Sequence, residues 1–511
     1  MKSKILTVLC GVIMSCSVNS QEVNFQIDEQ SWQEDFQFLK KKVEKTVPSY
    51  HFSENKKAFD EIYEVISTSQ IGNNKLEIVY GIQKLLNTLN DEGCNVPLFQ
   101  NGIALEVLPI KPYWFNDGLF ILDASENYKD IIGQQIIKIN DATVDEVFNE
   151  LKPLLNADNE YYKKYLFQVY GLMPSVLNLV GFGRSNSEVT LQFASGNTKQ
   201  IKGSTINDYL QLSRGLPNDE VFSFTNKDYK GKNYWSEMLP NTKTLFVQMQ
   251  RIANNEEGIS FSNFVNHIES FIKSNKTDKI VLDLRYGGGG NGFKLKRFTD
   301  LLRDSNTINK KGNLFILTSK ATRGTLLELA SILKLNTKAI LIGEPTAEGV
   351  NTVGDIKHIT LPNSGITVSL THTLWHTSWQ KDRSTFLSPD VSVEYNYSDK
   401  AKEQDPWLDV VYNYEVKELY QSIPSDLKNQ LIGTYNIEGR KVSIENTNGR
   451  LFLTMNRKMK SFFEIYTELY YQSEGIISTD IDGVALAYTK NSSNKIKLES
   501  LKWKGLNLNI D

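Results

Sequence analysis

Gly287, Gly288, Gly289 and Gly290, followed by Asn291 and Gly292, present a run of backbone N–H groups with no Cβ in the way of a ligand. They follow Lys279-Ile280-Val281-Leu282-Asp283-Leu284-Arg285-Tyr286, whose apolar, β-branched start reads as a strand buried on both faces. From Phe293 onward, Leu295, Phe298, Leu301 and Leu302 recur at helical spacing. A strand, a glycine nest and a helix in that order make a cradle for an anion or an oxyanion. The pattern is neither G-x-x-x-x-G-K-[ST] nor a well-spaced G-x-G-x-x-G, so phosphate is not the first choice of ligand. A plain loop at a strand end is the competing reading.

Nucleophiles are scarce. Ser319 and Lys320 are neighbours after the apolar run Leu314-Phe315-Ile316-Leu317, but successive side chains of a strand face opposite ways. Thr325 could attack a carbonyl only with a base in reach, and Thr322 and Thr325 also fit as capping hydroxyls of a helix. Cys94 is either a buried apolar filler or a thiol that needs a base and a lowered pKa. His372 and His376 lie on an alternating, strand-like stretch, about 13 Å apart, which is no zinc pair. No metal and no cofactor is expected.

Asp283, Leu284, Arg285, Gly288, Gly289, Gly290 and Asn291 resemble the D-L-R-x-N-x-G-G-N signature of the tail-specific (C-terminal processing) serine peptidases. That family includes a retinoid-binding-protein-like branch, and Gly287 replaces its usual Asn. Gly343-Glu344-Pro345-Thr346 matches the family's G-E-P-T. The resemblance implies an α/β core of ClpP/crotonase-like type, with a nucleophilic serine at a helix N-terminus. Counting back from Gly343 without gaps puts Gly324 at that serine, and a shift of one residue puts Thr325 there. The family's lysine base aligns with Gly349, and its G-D-G-H-T with Asp91-Glu92-Gly93-Cys94-Asn95. The resemblance further implies oxyanion and substrate contacts from Gly288, Gly289, Gly290, Asn291 and the helix start. Arg323, beside the lost serine, either attracts an anion or pairs with Glu328 or Glu348.

Elements must position these residues, and the chain reads as an α/β multidomain protein. Residues 1–20 form a signal peptide, with Lys2 and Lys4 before the apolar Ile5 to Met14 and a cleavage site near Val18-Asn19-Ser20. The alternative is a lipoprotein signal, with a lipid anchor on Cys16. Helical stripes such as Trp32, Phe36, Leu39 and Val43 make 28–95 an N-terminal helical bundle, which also looks like the family's. A β-rich 103–200 contains Ile132 to Asn140 and Val144 to Val147, which look like a PDZ module or a merely structural hairpin. From about Thr244 to 415, strands alternate with helices, which implies a mostly parallel sheet with ligands beyond its carboxyl edge. Short strands and Asn/Gly turns in 425–511 suggest a small antiparallel barrel, resembling lipocalin-like appendages of secreted hydrolases.

Composition narrows the function classes. A 511-residue chain with 40% hydrophobic and 23% charged residues is ordinary for a globular protein of several domains. Its net charge of −3 offers no basic footprint for nucleic acid. After the leader no run approaches the roughly 18 apolar residues of a transmembrane span. The expectation is an exported protein, periplasmic or extracellular, of serine-peptidase type, acting on or binding peptide or unfolded protein segments. The alternative is a pseudopeptidase that binds peptide C-termini or small apolar ligands without catalysis.

Overall fold

The computed structural model describes residues 27–68, 75–103, 105–212, 232–255, 258–274, 276–416, 421–458 and 461–511. The expected signal peptide, with Cys16, lies outside them. Among the described residues no helix is long and apolar enough to cross a membrane.

A six-stranded sheet carries the centre of the molecule. Its order is Val391–Ser392, Ile340–Gly343, Leu314–Thr318, Lys279–Asp283, Thr244–Met249, Tyr234–Met238. All neighbours are parallel except the last pair. The sheet therefore starts at Tyr234, not near Thr244. Tyr234–Met238 escaped the sequence reading because Ser236 and Glu237 interrupt its apolar pattern.

The apolar runs divide between two faces with the two-residue period of a strand. Ile280, Leu282, Leu314, Ile316 and Leu341 enter one cluster, roofed by helices Phe261–Lys273, Leu295–Asp304 and Gly324–Asn336. Val281, Phe315, Leu317, Ile340 and Ile342 enter the other, with Trp407 and Tyr395. Burial on both faces is why these strands read as near-continuous hydrophobic runs. The helix expected from 293 begins at Leu295, after a short 3-10 turn over Gly292–Lys294.

Three other units surround this sheet. Helices Glu29–Thr46, Ser53–Thr68 and Lys75–Asn87 share a core with the hairpin Lys357–Thr360/Thr367–Leu370. The hairpin tip docks on the buried Asp35, whose carboxylate accepts from Asn363 N at 2.8 Å and Ser364 N at 2.7 Å. The second unit is an antiparallel sheet, Ile110–Phe115, Gly118–Ala124, Gln135–Ile139, Glu188–Phe193 and Thr198–Lys202 in order, with Ala142–Thr143 paired to the third strand. Its first edge is sealed, since Tyr113 and Phe115 pack on Tyr395 of the central unit. Among the described residues, the opposite edge of this sheet is Thr198–Lys202.

The third unit is an eight-stranded antiparallel meander from Gly433–Ile437 to Leu506–Asn509. A bridge between Ile437 and Ile510 nearly closes it into a barrel. Its interior holds side chains such as Leu453, Phe463, Leu486 and Trp503, so it is a packed core more than an open calyx.

Arg285 is the chief polar tie of the central sheet. Its Nε and Nη2 donate to the two oxygens of Asp283 at 3.0 Å each, and Nη1 donates to Asp405 Oδ1 at 3.0 Å. The group is fully buried. Removing one member of such a pair strands an uncompensated charge, at about 3–5 kcal/mol. Arg285→Ala should lower unfolding stability by that amount in denaturant titration; a loss under about 1 kcal/mol would show that the pair is dispensable.

Candidate functional site

The sheet's carboxyl edge brings the two loops singled out in the sequence into contact. Gly288 and Arg323 form a parallel bridge, and Arg323 N donates to Gly287 O at 3.3 Å. Two hydroxyls lace the strand ends together: Thr322 Oγ1 donates to Leu284 O at 2.8 Å, and Ser319 Oγ to Arg285 O. Thr322 is thus a loop staple, not the expected helix cap. Lys320 turns the other way, to Trp114 O and to Glu344 at 3.4 Å, so Ser319 and Lys320 are not a catalytic pair.

The glycine run is wedged more than open. Gly288 N, expected as an oxyanion donor, is taken by Gln250 O at 2.9 Å, and Asn291 N donates to Ile252 O at 3.0 Å. An ideal Cβ would fall 2.4 Å from Gln250 O at Gly287, 2.5 Å from Arg323 Cγ at Gly288, and 2.6 Å from Ile252 N at Gly290. Close backbone approach on both sides demands these glycines. Gly289 N has no partner among the described residues. The Asn291 side chain accepts from Phe293 N at 3.0 Å and starts the following turn.

Both positions aligned with catalytic side chains are closed. Gly324 has φ +53, and a Cβ there would lie 2.9 Å from Gly289 N. At Gly349 a Cβ would lie 2.0 Å from Ser384 O. Thr325 is buried in the first turn of Gly324–Asn336, with no side-chain hydrogen bond among the described residues. Cys94 is fully buried; its Sγ donates to Asp91 Oδ2 at 3.3 Å and lies 3.4 Å from Thr371 Oγ1. Burial, then the Asp91 charge, pushes this thiol well up, the reverse of what a nucleophile needs.

Arg323 finds its carboxylate in Glu92, at 2.7 Å, and not in Glu328 or Glu348. Glu92 stands 231 positions away in the chain, beyond the reach of sequence spacing. Its charge, more than any other, keeps the guanidinium protonated. Glu348 takes over the helix N-terminus instead, accepting from Gly324 N at 3.3 Å. Burial pushes the Glu348 carboxyl well up, helped by the charge and hydrogen bond of Glu92.

Glu92 stands between two cavities. One, about 560 Å³, is lined by His51, Asp91, Asp158, Glu348, Gly349 and Arg383, among others. The other, about 220 Å³, has mostly apolar walls, including Leu154, Tyr162, Leu166 and Val176, and Arg323 also lines it. Asp158 accepts from Gly349 N at 3.2 Å, and burial raises its carboxyl too.

Glu328 lies one helical turn along from Gly324, buried, with Oε2 unpartnered and 2.4 Å from where a Cβ on Gly292 would be. Burial lifts its pKa from 4.5 to about 7. A carboxyl raised in the folded state makes the fold bind more protons than the unfolded chain between those two values. Stability therefore falls as pH rises from about 4.5 to about 7, by on the order of 3 kcal/mol from this group. Glu328→Gln should flatten that stretch of the stability–pH curve, measured by denaturant titration at about pH 4.5 and pH 8. Equal slopes in variant and wild type would contradict the burial assigned to Glu328.

No protein-family model and no curated protein matches the sequence. Solved structures do match. A serine-to-alanine mutant of CPAF aligns over 76% of this chain and 99% of its own, at 12% identity and a TM-score of 0.51. Mature CPAF complexed with lactacystin aligns over 75% and 97%, again at 12% identity and 0.51. The photosystem II D1 C-terminal processing protease aligns over 71% and 93%, at 16% identity and 0.36. With its mixed α/β build and nearly closed C-terminal barrel added, this chain has the fold of the tail-specific serine peptidases.

Proposed function

We propose that the chain is an exported protein that binds peptide or unfolded protein segments in the cleft around Glu92 and Arg323 and does not cleave them. The observation that carries this reading is the closure at Gly324 and Gly349, where any Cβ would meet backbone atoms at 2.9 and 2.0 Å. Neither residue offers a hydroxyl or an amine, and the inert Cys94 supplies no substitute. The positive, apolar and small-residue order of residues 1–20 supports export, with a lipid anchor on Cys16 as the variant form. On the same reading the functional units are 28–95, 103–200, 234–415 and 425–511. The pairing of Arg323 with Glu92 offsets the charge that a peptide C-terminus would seek, so carboxylate capture is not part of the proposal. The apolar cavity of about 220 Å³ favours a second reading, a small apolar ligand.

Mass spectrometry of unstructured peptides incubated with the mature protein tests the first half. Turnover should stay within about 10³-fold of water, the level that binding and donors alone supply in dissected enzymes. Thr325→Ala should leave it unchanged; robust turnover abolished by that change would make Thr325 a nucleophile and overturn the proposal. Gly324→Ser should remain inactive and lose about 1–2 kcal/mol of stability, because a side chain at positive φ is strained. Hydrolysis appearing in Gly324→Ser would mean that a base is in place after all. Binding is read by fluorescence titration of labelled unstructured peptides, and no saturation at millimolar protein would end the binding reading.

A further inference from the structure

The larger cavity, about 560 Å³, is walled by Phe52 and Glu54 at the start of helix Ser53–Thr68, by Asp158 just before helix Glu160–Tyr170, and by Arg383 of the central unit, among others. The carboxyls that line it are not equally engaged. Asp91 accepts from Ser49, Gly93 N, Cys94 and Thr371, and Asp382 from Ser378 and Ser384. Glu92 has Arg323. Asp158, half-buried, accepts from Gly349 N at 3.2 Å and forms no ion pair among the described residues. A carboxylate in such a place wants a cation beside it. A separate observation shows which cation the cavity admits. Arg383, exposed at the rim, lays its guanidinium on the ring of Phe52, 4.0 Å from the centroid. Its Nη1 donates to the carbonyls of Gln380 and Asp382, and no carboxylate pairs with it among the described residues. The chain's own guanidinium thus stands on the aromatic wall while Asp158 goes unpaired in the same cavity.

We propose that this cavity is a subsite for one basic side chain, arginine before lysine, of a peptide held in the cleft, and that the incoming cation pairs with Asp158 in competition with Arg383. Its volume lies within the roughly 300–1,000 Å³ of ligand sites, room for a long side chain. Arginine is favoured because its plane stacks on an aromatic ring, as that of Arg383 does on Phe52, and its fork matches a carboxylate. Arg383 does not already satisfy the site, since its hydrogen bonds go to carbonyl oxygens and leave the Asp158 charge unanswered. Glu92 lines this cavity and the apolar one, so the subsite is continuous with the cleft. The peptide part of this inference rests on the binding function proposed above; the affinity for a basic group does not.

Calorimetry with N-acetyl-arginine amide and its neutral isostere N-acetyl-citrulline amide tests the subsite on the unmutated mature protein. The arginine compound should bind about tenfold or more tightly, the effect of one charge-assisted contact. Asp158→Asn keeps an acceptor for Gly349 N and removes only the charge, so it should erase most of that difference with little change in Tm. Arg383→Ala removes the competing cation and should tighten the arginine compound severalfold, which a merely structural arginine would not do. A ratio below twofold between the compounds, an undiminished ratio in Asp158→Asn, unchanged or weaker binding in Arg383→Ala, or no binding at millimolar concentration each overturns the subsite. An unstructured peptide carrying arginine, lysine, citrulline or glutamate at one residue separates the two layers. The arginine compound bound, with no peptide bound, keeps the subsite and ends the peptide reading. Equal binding of all four peptides keeps the peptide reading and ends the subsite.

Discussion

A buried guanidinium needs carboxylates to offset its charge, and that of Arg285 sets the path of the chain at the sheet's carboxyl edge. Its Nε and Nη2 donate to Asp283 and its Nη1 to Asp405, each at 3.0 Å, with the ring of Trp407 at 4.8 Å from the guanidinium carbon. Asp405 also caps the helix Pro406–Tyr412, accepting from Trp407 N at 3.1 Å and Leu408 N at 3.2 Å. The desolvation of such a group is offset only if the geometry is kept. Little freedom is left to residues 283–288, whose carbonyls then meet Ser319 and Thr322 across the edge. In this chain the Asp and Arg of the signature are architecture.

That fixed path decides what the glycines do. A glycine nest free on one side can cradle an anion, but this one runs between Gln250–Ile252 and Arg323–Gly324. Hydrogen bonds on the first side consume Gly288 N. Contact on the second leaves Gly289 N 2.9 Å from where a Cβ on Gly324 would stand. The same residue types that make an oxyanion hole elsewhere serve here to bring backbones close together. The chemistry left at the site is that of Arg323, Glu92 and Glu348, two carboxyls and a cation at the meeting point of two cavities.

Much of this was legible in the sequence where a local rule governs. The β-branched runs gave strands at Lys279–Asp283, Leu314–Thr318 and Ile340–Gly343, because strands buried on both faces can hardly be anything else. The helix after Leu317 and the meeting of its start with the glycine run followed from parallel strand order. What stayed hidden depends on pairs far apart in the chain. Arg323 with Glu92, Gly349 with Ser384 and Cys94 with Thr371 have no spacing that could announce them. The edge strand Tyr234–Met238 was missed because one polar face broke its pattern, and the barrel's filled interior is invisible to turn signals alone. The wedge on the glycines was equally out of reach, since Gln250 and Ile252 sit on an unremarkable loop.

The helix Gly324–Asn336 explains why the turn at the site stays where it is. Thr325 through Asn336 are buried on every side, so the helix has no solvent face along which to shift. Its far end is pinned to the barrel: Leu335 enters the barrel's cluster, and Asn336 donates to Glu464 O at 3.4 Å. Lys338, just beyond it, meets Glu468 at 2.8 Å. At the near end Glu348 accepts from Gly324 N, and the Thr322 staple fixes the turn before it. Gly324 takes its left-handed φ of +53 without strain, and the helix it opens is held from both ends. The C-terminal barrel thereby contributes to the cleft at a distance, by holding the helix that begins directly after Arg323.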